Sequence, residues 1–417
     1  MRAAILFAYA SALLIAFSAV ADDAPAEKEV KAETLEKVVS GAFKANKELS
    51  AMMMEADSWL LKADSAGSLK NPELRFQVAT DRDAGSKLDE FQGGLRWSPP
   101  KLGEISYEKQ KANLRYAKEK AKAAQKASEF DAEVRAAYCE IWLKQSLVEI
   151  YSSKAELEKK RVELLEGLVK LGVRTAVQLT KSRLELIDLK AALESEKRKL
   201  GEARSRLARL AQTGYYVEAY EPELNEITAP VDKLLKTAVE NNPELEEKKA
   251  GVKFSSDEAF FQKMKLAPWL SFIELQYHYR YSKFDMIEIS FGVDIPLFDF
   301  NAGGVKGAEK RIESDALGFA AITEKIKKRA RTAYDDYLAA RAEAAEYEEL
   351  YAKLQEQTDM AVKQFSKLES AQPDDSIELL VSLLQAKKRL VEKKYVAALR
   401  LAELRLALGL PPDGKLE

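Results

Sequence analysis

Leu35–Leu49 reads LEKVVSGAFKANKEL, and Val231–Leu245 reads VDKLLKTAVENNPEL. The two stretches lie 196 residues apart, and Lys37, Ala42, Asn46, Glu48 and Leu49 recur as Lys233, Ala238, Asn242, Glu244 and Leu245. At the same shift Pro72 and Leu74 fall on Pro268 and Leu270, and Pro100 falls on Pro296. A repeat of this length duplicates a whole structural half; solenoid units run to about 20–50 residues. The chain is therefore expected to be one pseudo-symmetric architecture built from two halves.

Bulk composition narrows the partners. Lys plus Arg number 66 against 68 Asp plus Glu, and charged residues make up 32% of the chain. Such a balance supplies no basic field for nucleic acid. Abundant Ala, Glu, Lys, Leu and Arg point to long helices. Residues 1–21 read as a secretory signal peptide: Arg2 gives a basic start, Ala3–Phe17 an apolar stretch, and Ala19-Val20-Ala21 a small-residue cleavage site. No later segment holds about 18 consecutive apolar residues, so no transmembrane helix is expected after cleavage. Cys139 is the only cysteine, which excludes a disulfide framework and a zinc cluster. No cysteine stands directly after the signal segment, so a lipid-modified N-terminus is not expected.

Outward from the repeat, the period of the pattern switches twice in each half. In the first structural repeat (22–213) a short helix, expected over about Lys31–Lys62, ends at Ser65-Ala66-Gly67-Ser68 and Asn71-Pro72. Alternation then takes over. Leu74, Phe76 and Val78 alternate with polar or small neighbours, as do Phe91, Leu95 and Trp97, with a turn expected at Asp81–Ser86; this is a β-hairpin over 72–98. Helical spacing returns from about Glu104 to Lys170, pauses at Leu171-Gly172-Val173, and resumes from about Thr175 to Ala211, so long helices fill 104–211. At 1.5 Å per residue the first of these spans roughly 100 Å.

A linker (214–230) leads to the second repeat (231–410), which follows the same plan. A short helix over Val231–Met264 precedes a hairpin over 268–296 with Trp269, Ile273, Leu275, Tyr277, Tyr279, Tyr281, Ile287, Ile289, Phe291, Val293 and Ile295. A Gly-rich bend, Asn301–Gly304, introduces long helices over 304–408, broken by Ser370–Asp375; the last helix is expected over Ser376–Leu408. Gly409 with Pro411-Pro412 is a stop signal, and 411–417 is a C-terminal tail. Phe76 maps onto Phe272, yet Ile273 and Leu275 carry the apolar parity there, which predicts a bulge or register change.

Four strands of this length can cross a bilayer at the usual tilt, and Trp97, Trp269, Tyr277, Tyr279, Tyr281 and Phe291 suit interfacial aromatic girdles. Open strand edges do not survive in hydrocarbon, so the sheet must close, and four strands are too few to enclose a lumen. Three copies give twelve strands. The expected fold class is thus mainly α with β: duplicated long-helix hairpins forming an α-helical barrel, plus a four-strand contribution to a twelve-stranded trimeric transmembrane β-barrel. The alternative is a soluble exported coiled-coil scaffold or periplasmic adaptor protein, its hairpins wetted on both sides.

The duplicated Ala-x-x-x-Asn-x-Glu-Leu opening, Ile295-Pro296-Leu297-Phe298-Asp299 with the following Gly303-Gly304, and the closing Ala407-Leu408-Gly409 resemble the TolC-type outer-membrane efflux proteins. Pro296–Gly303 is similar to the form found in the heavy-metal cation efflux subgroup. The resemblance covers essentially the whole mature chain. It implies a homotrimeric outer-membrane channel extending into the periplasm, a passive exit duct gated at its periplasmic end. Such ducts serve tripartite efflux or type I secretion together with a periplasmic adaptor (membrane fusion) protein and an inner-membrane pump.

The residues offer no catalytic chemistry. His278 is the only histidine and reads as an ordinary barrel residue, no histidine-based triad can form, and Gly303-Gly304 lacks the Lys-Ser/Thr of a phosphate loop. No enzyme activity, cofactor or bound metal is expected. The candidate functional site is Asp374, Asp375 and Glu378. Asp375 and Glu378 stand three apart at a helix start and so share one face. They also fall where proteins of the resembled family carry acidic residues lining the pore entrance. About six carboxylates around one constriction would select cations; the same acids would also complement a helix N-terminus. Gly172–Gln178 and Leu368–Asp375 are the expected adaptor contacts.

Overall fold

A computed structural model of the protein describes residues 29–80, 88–224, 226–280, 285–297, 300–365, 373–411 and 414; the side chains at 79, 80, 88, 89, 280, 364, 365 and 373–375 lie outside the description. The signal segment, the Asp81–Ser86 turn, Tyr281, Phe298-Asp299 and Leu368–Gln372 fall outside the described residues. In chain order the elements are β1 (Val30–Glu33), α1 (Leu35–Ala45), α2 (Lys47–Ser65), β2 (Glu73–Thr80), β3 (Leu88–Trp97), α3 (Glu104–Lys170) and α4 (Ala176–Leu210). There follow β4 (Tyr216–Ala219), α5 (Val231–Asn241), α6 (Pro243–Met264), β5 (Trp269–Arg280), β6 (Met286–Asp294), α7 (Ala302–Phe365) and α8 (Pro373–Ala407).

The repeated asparagine explains one departure from expectation. Each short helix predicted as continuous is two helices, and Asn46 and Asn242 sit at the breaks with extended backbone. Asn46 Oδ1 accepts from Leu49 N at 3.1 Å, and Asn242 Oδ1 accepts from Glu244 N at 3.0 Å and Leu245 N at 3.3 Å. An N-cap of this kind satisfies backbone donors that the new helix leaves free. Pro243 reinforces the second break, since proline fits the first helical turn and holds its predecessor extended.

The chain forms two compact units. Among the described residues, the first draws on those within 1–45, 133–225 and 339–399. Its core includes Val134, Ile141, Ile150, Leu207 and Val217, with Ala340, Ala344 and Ala397 in a second cluster. β1 and β4 pair in parallel, Val30 with Tyr216 through Glu33 with Ala219. Neither strand was anticipated, because four residues carry too little alternation to be distinguished. The α3–α4 turn closes as expected: Gly172 adopts φ +74°, Val173 N donates to Leu168 O at 2.9 Å, and Thr175 with Gln178 forms a capping box.

The second unit comprises residues 46–132, 226–338 and 400–417. Leu234, Ala238 and Leu245 pack with Ile326, Ala330, Tyr337, Leu404 and Leu408 in its core. Tyr107 stacks on Phe261 at 4.9 Å between ring centres. Gly409 holds φ +62°, and a Cβ there would approach Asn241 O to 3.1 Å. The expected Gly-rich bend is narrower than predicted. Helix α7 already includes Gly303 and Gly304, and Asn301 just before it adopts φ +41°. Asn301 Nδ2 donates to Gln262 O at 3.1 Å, and Gly304 leaves room for this side chain, since a Cβ would stand 2.2 Å from Asn301 Oδ1.

Candidate channel-forming surface

The two hairpins of the second unit join into one four-stranded antiparallel sheet in the order β2-β3-β5-β6. Register puts like with like across it. Leu74 faces Leu95, Leu95 faces Leu275, and Leu275 faces Ile289. One step along, Phe76, Gly93, Tyr277 and Ile287 form a second row; Trp97, Ile273 and Phe291 form a third. All of these share one parity and hence one face, since strand side chains alternate. The face is unprotected within the chain: Phe76, Ile287, Ile289 and Phe291 are 64–72% exposed. An exposed apolar surface of this extent needs a partner phase or a partner protein.

The opposite face is polar. Its rows run Gln77-Gln92-His278 and Glu73-Arg96-Glu274-Ser290, with Arg75, Gln276 and Glu288 in the row between. Gly94 occupies the centre of that middle row. A Cβ there would stand 2.7 Å from Gln276 Cγ and 2.8 Å from Leu275 O, so the neighbouring strand closes over a position only glycine fills. Glu274 is buried and accepts from Gln276 Nε2 at 2.7 Å. His278 lies between two acids, with Nε2 3.2 Å from Glu288 Oε2 and Nδ1 3.9 Å from Glu90 Oε1.

The anticipated irregularity is present, and its purpose is visible. The β5–β6 register shifts between Leu270 and Phe272, which turns Phe272 onto the polar face. Gly292 opposite lacks the Cβ that would meet the Phe272 ring at 2.4 Å, and the Arg96 guanidinium lies 3.8 Å from the ring centre. The aromatic is thus covered by a cation instead of water. At one end of the sheet Trp97 Nε1 donates to Lys70 O at 3.1 Å and Trp269 Nε1 to Pro99 O at 3.3 Å. Both indole N–H groups are thereby satisfied.

The predicted acidic site is only partly visible. Asp374 and Asp375 belong to the first turn of α8, their side chains outside the described residues, while Glu378 is exposed on the same helix. At the other helix turn Leu171, Val173 and Val177 are 65–77% exposed. The Tyr347, Tyr351 and Leu354 stripe of α7 borders a groove of about 300 Å³ with Gln385 and Ala386 of α8.

Three titratable groups in the first unit are set by their surroundings. Lys37 donates to Glu33 at 2.7 Å and holds its carboxyl below the ordinary value, with further help from the Tyr215 hydroxyl. Burial pushes the Cys139 thiol up to about 12. Lys154, also buried, is shifted down by desolvation and then by Lys388 nearby. Among the described residues no helix is long and apolar enough to cross a membrane, and no group of three or more His, Cys, Asp or Glu is placed to hold a metal ion.

No protein-family model and no curated protein matches the sequence. Solved structures match at low identity over nearly the whole chain. CusC, described in terms of transmembrane channel formation, superposes with a TM-score of 0.70 at 14% identity, covering 90% of this chain and 91% of that one. The outer-membrane protein VceC of Vibrio cholerae gives 0.69 at 16% identity, over 92% and 97%. The MtrE outer-membrane channel of Neisseria gonorrhoeae gives 0.67 at 14% identity, over 92% and 89%. At these identities the likeness establishes the fold alone: a mainly helical chain with a minor sheet, as in these outer-membrane channels and as expected.

Proposed function

We propose that this chain is one third of an outer-membrane channel, the passive exit duct of a tripartite efflux or type I secretion system. The observation that carries the reading is the sheet: one face apolar and exposed, the other polar, with β2 and β6 each paired on one side only. Unpaired backbone N–H and C=O groups cost several kcal/mol each in hydrocarbon, so such a sheet enters a bilayer only when its edges are joined. Joining β6 of one copy to β2 of the next closes twelve strands around a lumen lined by the polar face. Lipid then covers the apolar face. A water-soluble scaffold would have no use for rows of exposed leucine, isoleucine and phenylalanine.

In this reading residues 1–21 direct export, and the energy of transport comes from an inner-membrane pump. A periplasmic adaptor meets Gly172–Gln178, where Val173 and Val177 are exposed, and Leu368–Asp375. Asp374, Asp375 and Glu378 form the cation-selecting carboxylates of the entrance.

The deciding experiment is extraction and reconstitution. The chain is expected to need detergent, to have the mass of three copies, to migrate anomalously until heated, and to conduct in planar bilayers. A water-soluble monomer or dimer released by osmotic shock overturns the proposal. Asp375→Ala with Glu378→Ala is expected to lower cation selectivity in the same bilayers; unchanged selectivity removes the carboxylate ring.

A further inference from the structure

His278 Nε2 and Glu288 Oε2 are 3.2 Å apart, and with the ring hydrogen on Nδ1 both atoms present lone pairs. His278 is 8% exposed, and its Nε2 is shut away from solvent without a hydrogen bond. The separation is short enough for one, so it is direction that fails: an N–H on Nε2 would point off the line to the carboxylate. A shared metal ion asks for that geometry. With metal–ligand distances of about 2.0–2.1 Å, donors 3.2 Å apart subtend roughly 100° at the ion. The nitrogen lone pair must then point about 40° away from the oxygen.

The surroundings prepare both donors. Ser290 Oγ donates to Glu288 Oε1 at 3.0 Å, which turns Oε2 toward the ring. The carboxylate of Glu90, 3.9 Å from Nδ1, favours the tautomer with hydrogen on Nδ1 and the lone pair on Nε2. Gln92 Nε2 donates to Glu90 Oε1 at 2.8 Å, and Gln276 Nε2 donates to Glu274 Oε1 at 2.7 Å, so both amides are engaged elsewhere. The remaining partner in this row, Met286, brings no charge.

We infer that His278 and Glu288 form a binding site for a divalent transition-metal ion of zinc or copper type on the polar face of the sheet. Imidazole and carboxylate suit these ions, and water completes the shell. Two protein donors make the site weak and exchangeable, in keeping with the absence of any three-residue group among the described residues. If the sheet closes as proposed, three such sites ring the lumen. The inference rests on that reading for the site's place in a pore but not for its existence.

The chain has a single histidine, which makes the test specific. Untagged protein in detergent is titrated with Cu²⁺ and followed by electron paramagnetic resonance, with Zn²⁺ titrated by calorimetry. One copper per chain with single-nitrogen coupling is expected. His278→Gln should abolish the nitrogen coupling, and Glu288→Gln should weaken affinity about tenfold while keeping it. Absent nitrogen coupling in the natural chain overturns the site, as does a Glu288→Gln affinity equal to the natural one. Copper bound through His278 by a chain that forms no pore keeps the site and removes the duct.

Discussion

Leu95 and Leu275 stand directly opposite one another in the β3–β5 register, and both side chains are about half exposed, at 47% and 49%. A cross-strand leucine pair in a soluble sheet would be core. Here the pair looks outward, and Gly94 and Gln276, one residue along, form the opposite, polar face.

That pairing predicts an asymmetry between neighbours. Leu275→Lys should cost about 2–4 kcal/mol of bilayer-embedded stability, the magnitude for a lysine on a lipid face near midplane. Gln276→Lys should be tolerated. Urea unfolding of the reconstituted protein measures both, and equal effects would contradict the assignment of faces.

Tyr138 ties the two short parallel strands together. Its hydroxyl donates to Glu33 O and accepts from Tyr220 N, each at 2.8 Å, and the ring is 2% exposed. Tyr138→Phe leaves a buried donor and acceptor unpaired, a cost of about 1–3 kcal/mol. A lowered denaturation midpoint with earlier proteolysis of the 29–34 segment is the expected outcome.

Glu33 should give the first unit an acid-sensitive component. Its folded pKa lies below its ordinary value of 4.5 because Lys37 and Tyr215 donate to the carboxylate. The contribution is therefore complete above pH 4.5 and disappears as pH falls through the folded value. Because the Lys37 side chain is 70% exposed, solvent screens the pair and the effect is modest. Thermal unfolding of Glu33→Gln beside the natural chain should differ at neutral pH and converge in acid.

Cys139, 4% exposed with its thiol pushed up to about 12, should resist maleimide at pH 8 in the folded protein and label fully in denaturant. Rapid native labelling would show that α3 opens around residue 139.

Local period made much of the fold legible. Helical spacing between Glu104 and Lys170 survives over 67 residues because every turn repeats the same burial requirement, and the Gly172 and Thr175 signals mark its end. Alternation in Leu74-Phe76-Val78 announces a strand for the same reason. Asn46 and Asn242 recur visibly in the repeat, but helical spacing runs on through both, and an asparagine caps only where its backbone is extended. β1 and β4 were illegible: their pairing joins residues 186 positions apart through Val30 and Tyr216, and four residues carry no period.

Asp374 and Asp375 stand in the first turn of α8, with Glu378 exposed on the same helix, as their order along the chain requires. The polar face differs. Nothing in the order of residues brings His278 to Glu90 or Arg96 to Phe272, because those contacts depend on β3 pairing with β5 in one particular register. Long helices and two-faced strands are readable along the chain, because each follows from periodicity within a single element. Which strand lies beside which is not readable that way. Partners in a sheet are chosen by contacts between distant segments, and their register then sets every side chain on the polar face beside its neighbours.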